Sequence, residues 1–91
     1  TRFEAAYRAA GASIRLARTP GSAAIEAERA GEAEKAAVLY REAISHLEVA
    51  RSWCARARSV APDGDDRLTR RSEEVSRLLN FARRGLGRTD P

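Results

Sequence analysis

The fold of this chain follows from residues 30–47, which read AGEAEKAAVLYREAISHL. Gly31 permits a tight turn, and the apolar residues after it recur at steps of three, four or seven, the pattern of one buried helical face. These residues are Ala33, Ala37, Tyr40, Ile44, Leu47, Cys54, Ala57 and Ala61, and the face is widened by Val38, Leu39, Ala43, Ala50 and Trp53. The pattern predicts a helix with neighbours on two sides, as in the middle of a three-helix bundle.

A second amphipathic stripe precedes the turn. Residues 2–18 carry apolar side chains at helical spacing, namely Phe3, Tyr7, Ala10, Ile14 and Ala17. Thr19-Pro20-Gly21-Ser22 then interrupts the pattern, because proline removes an amide donor, and Thr19 is the expected cap of a new helix. At Gly31 two interpretations stay open, a turn between helices, which we favour, or a weak point inside one long helix.

The last third of the chain carries a wide apolar stripe. Pro62 and Asp63-Gly64 predict a loop over residues 61–66, and Asp65 or Asp66 is the expected cap of the helix that follows. One face of that helix carries Leu68, Val75, Leu79, Ala82 and Leu86, and an adjoining face carries Leu78 and Phe81. We expect part of this stripe to pack and the rest to remain as an apolar strip beside many arginines.

Together these patterns predict an all-α protein, a three-helix antiparallel bundle with a break near Pro20. The predicted helices span residues 2–18, 22–30, 32–59 and 66–86. Gly85 and Gly87 predict the end of the last helix, and residues 88–91 are expected to form a tail.

The 91 residues carry a formal net charge of +4. All of the basic excess lies in residues 51–91, which hold ten arginines against six acidic residues. This half is a candidate docking surface for an acidic protein, a membrane or nucleic acid; the alternative is that most of these arginines are simply solvated.

The single cysteine, Cys54, excludes an internal disulfide and indicates a reducing, cytoplasmic compartment. No apolar run is long enough to predict a transmembrane segment. The start, Thr1-Arg2-Phe3, lacks both Met and a signal-peptide pattern. We therefore expect a domain excised from a longer protein.

The sequence contains few residues of the kinds that carry out catalysis. The chain holds one histidine and one cysteine, and it lacks a glycine-rich phosphate loop. His46 and Cys54 lie eight residues apart on one predicted helix, about 12 Å along its axis, too far for a dyad. The aspartates at 63–66 lack the spacing of an EF-hand. We expect no enzyme, no metal and no cofactor.

Residues 24–47, AIEAERAGEAEKAAVLYREAISHL, resemble the MIT (microtubule interacting and trafficking) domain family. A weaker similarity follows at Leu79-Asn80-Phe81-Ala82-Arg83, and residues 6–16 are similar to the first helix of spastin- and spartin-type MIT domains. The two alignments hold together only with an insertion around Pro20. Tetratricopeptide repeats share the glycine turn and the Ala/Tyr pattern, but the chain has no second copy at their period of about 34 residues.

The resemblance implies a non-catalytic adaptor that binds C-terminal helical or extended tails of ESCRT-III (CHMP-type) subunits beside the last helix. Such a domain would recruit an attached trafficking protein to endosomal or other remodelling membranes. By resemblance, Leu79 matches the leucine at the groove floor and Ala82 the small residue that admits the ligand. Asn80 replaces an Asp that pairs with a ligand arginine in some members, so the groove between the first and third helices is an equal candidate. The expected peptide-binding residues are Val75, Ser76, Leu79, Asn80, Ala82, Arg83 and Leu86.

Two other functions compete with this one. The arginine-rich face favours a basic module that binds microtubules or another polyanion. Nucleic acid is disfavoured, because Phe81 is the one aromatic among the arginines of the last predicted helix and no recognition-helix motif is present. The third hypothesis is a TPR-like or self-associating helical domain.

Overall fold

The computed structural model describes residues 1–60 and 65–90, and over these ranges all regular structure is helical. The helices are α1 (Arg2–Arg29), α2 (Ala33–Val60) and α3 (Asp66–Thr89). Side chains at the start of α1 contact the start of α3, and side chains at its end contact the end of α3. α1 and α3 therefore run parallel to each other, and α2 runs antiparallel to both. The predicted all-α three-helix bundle is confirmed.

α1 and α2 pack through an interface built mainly of alanine. The buried alanines are Ala6, Ala10, Ala17, Ala24 and Ala27 on α1, and Ala36, Ala37, Ala43, Ala50 and Ala57 on α2. α3 contributes larger side chains, among them Leu68, Val75 and Leu79, and packs far more extensively on α2 than on α1. The bundle is a rod of 47 × 17 × 16 Å in which α1 and α3 make few mutual contacts.

Gly31 forms the turn between α1 and α2. Its φ of +78° lies in the left-handed region, which glycine adopts without the steric cost that a side chain would impose. The amide of Gly31 donates to the Glu28 carbonyl (3.1 Å), and the amide of Glu32 donates to the Ala27 carbonyl (2.9 Å). The turn interpretation is therefore confirmed.

The predicted break near Pro20 is wrong. α1 continues through Thr19, Pro20 and Gly21 as one helix of 28 residues, so Thr19 caps nothing. A proline inside a helix costs about 3 kcal/mol, but Pro20 is itself buried, and Ala17 and Ala24 on either side of it are buried too. Packing of both halves of α1 on the same neighbours outweighs the local cost.

Asp65 is the N-cap of α3. It is one of the two residues, Asp65 and Asp66, that were predicted as candidates. Its side chain accepts hydrogen bonds from the backbone amides of Arg67 (3.0 Å) and Leu68 (3.3 Å), which satisfies donors that the first turn of a helix leaves free. The predicted loop residues 61–64 and the final Pro91 lie outside the described residues.

α3 continues past its predicted end at residue 86 to Thr89, so residues 88 and 89 belong to the helix and not to a tail. Gly85 is buried, and a Cβ at this position would overlap the ring of Tyr40 from α2. Here glycine permits close helix contact, and the Thr89 hydroxyl donates to the Gly85 carbonyl (2.8 Å). The glycines therefore reflect packing, and they do not end the helix.

We predict that Gly85→Ala lowers the free energy of unfolding by about 1–3 kcal/mol, because the added methyl group overpacks the Tyr40 contact. Gly87→Ala is the matched control, since a Cβ there meets no atom within 4 Å. It should stabilise the chain by about 0.5–1 kcal/mol through helix propensity. Urea unfolding followed by circular dichroism measures both; equal effects of the two substitutions would contradict the packing argument.

Candidate functional site

An apolar groove separates α1 from α3 in the half of the bundle nearer the Gly31 turn. It encloses about 170 Å³. α2 supplies Tyr40, Ala43 and Leu47, α1 supplies Ala17, Arg18, Gly21, Ser22 and Ile25, and α3 supplies Leu78, Phe81 and Ala82. Among the described residues that line it, Arg18 is the one with a formal charge. A groove of this composition suits apolar side chains of a partner.

The groove is bounded at the N-terminal end of α1 by arginines of α3. The Arg71 guanidinium donates to the Tyr7 carbonyl (2.6 Å) and lies 3.8 Å from the centroid of the Tyr7 ring. Gly11 leaves room for this side chain, because a Cβ there would come within 2.8 Å of Arg71 Nη1. Arg67 adds an ion pair with Glu4 at 3.2 Å. α1 and α3 are therefore tied together at this end.

The opposite end is tied by a network of three side chains. Glu28 of α1 accepts hydrogen bonds from the Tyr40 hydroxyl (2.7 Å) and from Arg88 Nε (2.7 Å) and Nη2 (3.1 Å). Arg88, and after it Tyr40, lowers the pKa of Glu28 to about 2. Burial, together with the Glu28 hydrogen bond, raises the pKa of Tyr40. The sequence analysis missed this network, because helical periodicity carries no information about pairs so distant along the chain.

The predicted site residues do not form one surface. Leu79 is 2% exposed and Val75 is 1% exposed, and both belong to the core. The Leu79 side chain therefore packs inside the bundle and does not form the floor of an open groove, because it lies at the centre of the apolar stripe of α3. Ala82 lines the α1–α3 groove, Leu86 is half-buried against the core, and Asn80 is exposed.

Val75 and Ser76 line a second cavity, which lies between α2 and α3. It has a volume of about 490 Å³ and is also lined by Arg51, Cys54, Ala55, Arg58, Ser59 and Ser72. Arg83 lies seven residues after Ser76, hence on the same side of α3. Cys54 is buried here, as predicted, and burial raises the pKa of its thiol, which disfavours nucleophilic reactivity.

The residues that the sequence analysis left out of the site are Leu78, Phe81 and Ile25. Phe81 is 48% exposed although it is a large apolar side chain, and Leu78 and Ile25 are half-buried. The sequence pattern could have identified Leu78 and Phe81, since these two residues form the adjoining apolar face of α3. The apolar strip expected beside the arginines is thus this face.

The chain matches no protein-family model, no curated protein and no solved structure. No helix in the described ranges combines the length and apolar character needed to cross a membrane. Across residues 1–60 and 65–90, no group of three or more His, Cys, Asp or Glu side chains is placed to hold a metal ion. The chemistry of the grooves is therefore the basis for inferring a function.

We predict that Leu79→Ala lowers the free energy of unfolding by about 2–5 kcal/mol, as expected for a large core side chain. Phe81→Ala should cost only about 1 kcal/mol, because half of the Phe81 side chain is already in water. Urea unfolding curves measure both. A larger loss of unfolding free energy for Phe81→Ala than for Leu79→Ala would contradict the assignment of Leu79 to the core and Phe81 to the groove.

We also predict that Glu28 contributes pH-dependent stability. Because the pKa of Glu28 is lower in the folded chain than in the unfolded one, its contribution is complete above about pH 5 and is lost as the pH falls towards about 2. The stability difference between the original chain and Glu28→Gln should therefore shrink over this interval.

Urea midpoints measured from pH 2 to pH 7 provide the test. The control is Glu26→Gln, an exposed carboxylate on the same helix that forms no ion pair within the described residues. A constant difference between Glu28→Gln and the original chain at all pH values would contradict the role of this network.

Proposed function

We propose that this chain is a non-catalytic, MIT-like adaptor domain that binds a C-terminal tail motif of an ESCRT-III subunit in the α1–α3 groove. In this proposal it recruits an attached trafficking or membrane-remodelling protein from the cytoplasm to endosomal or other remodelling membranes. The observation that carries the proposal is the half-exposed Phe81 side chain beside the groove. An aromatic side chain of this size is normally buried.

The groove offers what a short amphipathic segment needs. Leu78, Phe81 and Ile25 present apolar surface for the side chains of one ligand face, and binding would remove that surface from water. Arg18 at the wall, with the arginines of α3, attracts an acidic segment and accelerates its association. The ESCRT-III tails that MIT domains bind combine an apolar face with acidic residues.

The resemblance of residues 24–47 to MIT domains supports the same proposal. The part that carries the resemblance spans the end of α1, the Gly31 turn and the first half of α2. This segment holds Tyr40, which contributes to the groove. Because Asn80 replaces the Asp with which some MIT domains bind a ligand arginine, the groove between the first and third helices was an equal candidate. We select this groove.

One observation favours a second function. No acidic residue occurs from residue 75 to residue 89, whereas this stretch contains Arg77, Arg83, Arg84 and Arg88. Such a helix would attract a polyanion such as an acidic tubulin tail. Binding of that kind depends steeply on salt and weakly on Phe81, which separates it from groove binding.

The test is a fluorescence-anisotropy titration of the chain with labelled peptides from ESCRT-III C-terminal tails. We expect at least one tail to bind, and Phe81→Asp to weaken that binding at least tenfold while leaving the circular dichroism spectrum unchanged. Val49→Asp is the matched control, since Val49 is also 48% exposed but lies on α2 and outside the groove. It should bind normally.

Absence of binding by every tail would contradict the proposal. Binding to all polyanions with equal strength, lost in high salt and insensitive to Phe81→Asp, would establish the basic-module alternative in its place. Self-association in analytical ultracentrifugation, together with no peptide affinity, would establish the helical assembly domain.

A further inference from the structure

The outer face of α2 carries three exposed valines at equal spacing. Val38, Val49 and Val60 are 60%, 48% and 42% exposed, and they follow one another at steps of eleven residues. Eleven residues make close to three full helical turns, so the three side chains lie nearly in line along one face of α2, the valine face. Tyr40, which lines the α1–α3 groove, is about two and a half turns from Val49 and hence on the opposite side of the helix. The valine face therefore lies away from the groove.

Two residues of opposite charge share the valine face. Glu42 and Arg56 lie seven residues before and seven residues after Val49, which returns both to the side of α2 that carries Val49. Both are exposed, and within the described residues neither takes part in an ion pair. Val38 and Val60 likewise lie eleven residues before and eleven residues after Val49. The face is therefore symmetric in spacing about Val49, with charges of opposite sign on its two halves.

This symmetry matches a second copy of the chain. When two α2 helices pack antiparallel about a two-fold axis at Val49, each residue meets the residue that lies equally far on the other side of Val49. Glu42 of each copy then lies against Arg56 of the other, Val38 lies against Val60, and Val49 lies against its own counterpart. A parallel pair would instead set Glu42 against Glu42 and Arg56 against Arg56, which is unfavourable because like charges repel.

The other side chains of the valine face permit such contact. The hydroxyl of Ser45 donates to the Arg41 carbonyl (3.1 Å), and the hydroxyl of Ser52 donates to the Glu48 carbonyl (3.2 Å). Covering a hydroxyl that already has an acceptor leaves no unsatisfied donor. One long face of the rod measures 47 by 17 Å, about 800 Å², which is the area that each partner contributes to a stable interface of standard size.

We infer that two copies of the chain associate through the valine face as an antiparallel dimer with its two-fold axis at Val49. The inference concerns a surface that the proposed function does not use. Because the valine face lies opposite the groove, both grooves remain open on the outer sides of the dimer. One dimer therefore offers two grooves, and two tails held close together on one partner assembly would bind it more tightly than a single tail.

Sedimentation velocity over a range of protein concentrations tests the dimer. We expect the original chain to shift from monomer to dimer as its concentration rises. Val49→Asp should weaken association by roughly tenfold or more, because it sets two carboxylates against each other at the axis. Phe81→Asp is the matched control, since Phe81 is also 48% exposed but lines the groove, and it should dimerise normally. Circular dichroism verifies that each variant is folded.

Charge reversal tests the antiparallel register. Glu42→Arg and Arg56→Glu should each weaken association by roughly three- to tenfold, because each replaces two attractive pairs with two repulsive ones. The double variant again sets opposite charges against each other across the axis, so it should dimerise as the original chain does. Arg51→Glu is the control, because Arg51 is an exposed residue of α2 that lines the cavity between α2 and α3, and it should have no effect.

Disulfide formation locates the axis. Val49→Cys should give a disulfide-linked dimer on oxidation with copper–phenanthroline, since the two copies of this residue meet at the axis. Val38→Cys should not, because the antiparallel arrangement separates its two copies by about 33 Å, the rise of 22 residues, and a disulfide needs Cα atoms within about 7 Å.

The outcomes separate this inference from the proposed function. A monomer at every concentration would overturn the dimer and leave groove binding standing. A dimer that Val49→Asp leaves intact and Phe81→Asp disrupts would place the contact in the groove, and would also overturn it. A double charge variant that associates no better than the single variants would contradict the antiparallel register. Failure of every ESCRT-III tail to bind an intact dimer would remove the proposed function and leave the dimer established.

Discussion

The structure depends on the packing of one side chain, Tyr40. Its ring is 1% exposed and lies against Gly85 of α3, while its hydroxyl donates to Glu28 of α1. Glu28 in turn binds Arg88 of α3, so a residue of α2 links all three helices at one end of the rod. The same ring lines the α1–α3 groove, and thus the contact that holds this end together also forms part of the candidate site.

The groove results from an unequal distribution of side-chain size. Alanines on α1 and α2 allow these helices to pack closely, and the larger residues of α3 settle mainly on α2. α3 therefore packs much less on α1. Within the described residues, the hydrogen bonds that join α1 and α3 lie towards the two ends, between Arg71 and Tyr7 at one and between Arg88 and Glu28 at the other. Phe81 lies between these ties without a partner large enough to cover it. Exposed apolar surface of this kind is unfavourable in water and marks interaction sites when it is contiguous.

Sequence periodicity predicted the helices and the Gly31 turn because each depends on nearby residues. It could not predict that α1 continues through Pro20, since the compensating burial of Ala17 and Ala24 comes from tertiary packing. The resemblance to MIT domains assigned Leu79 to the binding surface and left Phe81 out. Periodicity could not correct this assignment, because the apolar stripe of α3 is wider than the core requires and periodicity does not show which edge of the stripe remains exposed. The Glu28–Arg88 ion pair could not be predicted for a different reason. In a chain with 17 basic and 13 acidic residues, each surface charge has many candidate partners.

The arginines of α3 separate into two groups by what they contact. Arg67, Arg71 and Arg88 bond to α1 and hold the two parallel helices in place. Arg77 and Arg84 lie on the side of α3 opposite its buried apolar stripe, and within the described residues they form no ion pair. Folding stability does not explain why Arg77, Arg84 and Phe81 are exposed, because an exposed arginine without a partner adds little stability and an exposed phenylalanine adds less stability than a buried one. The half-exposed Phe81 side chain beside the α1–α3 groove is therefore a feature that the stability of the bundle leaves unexplained.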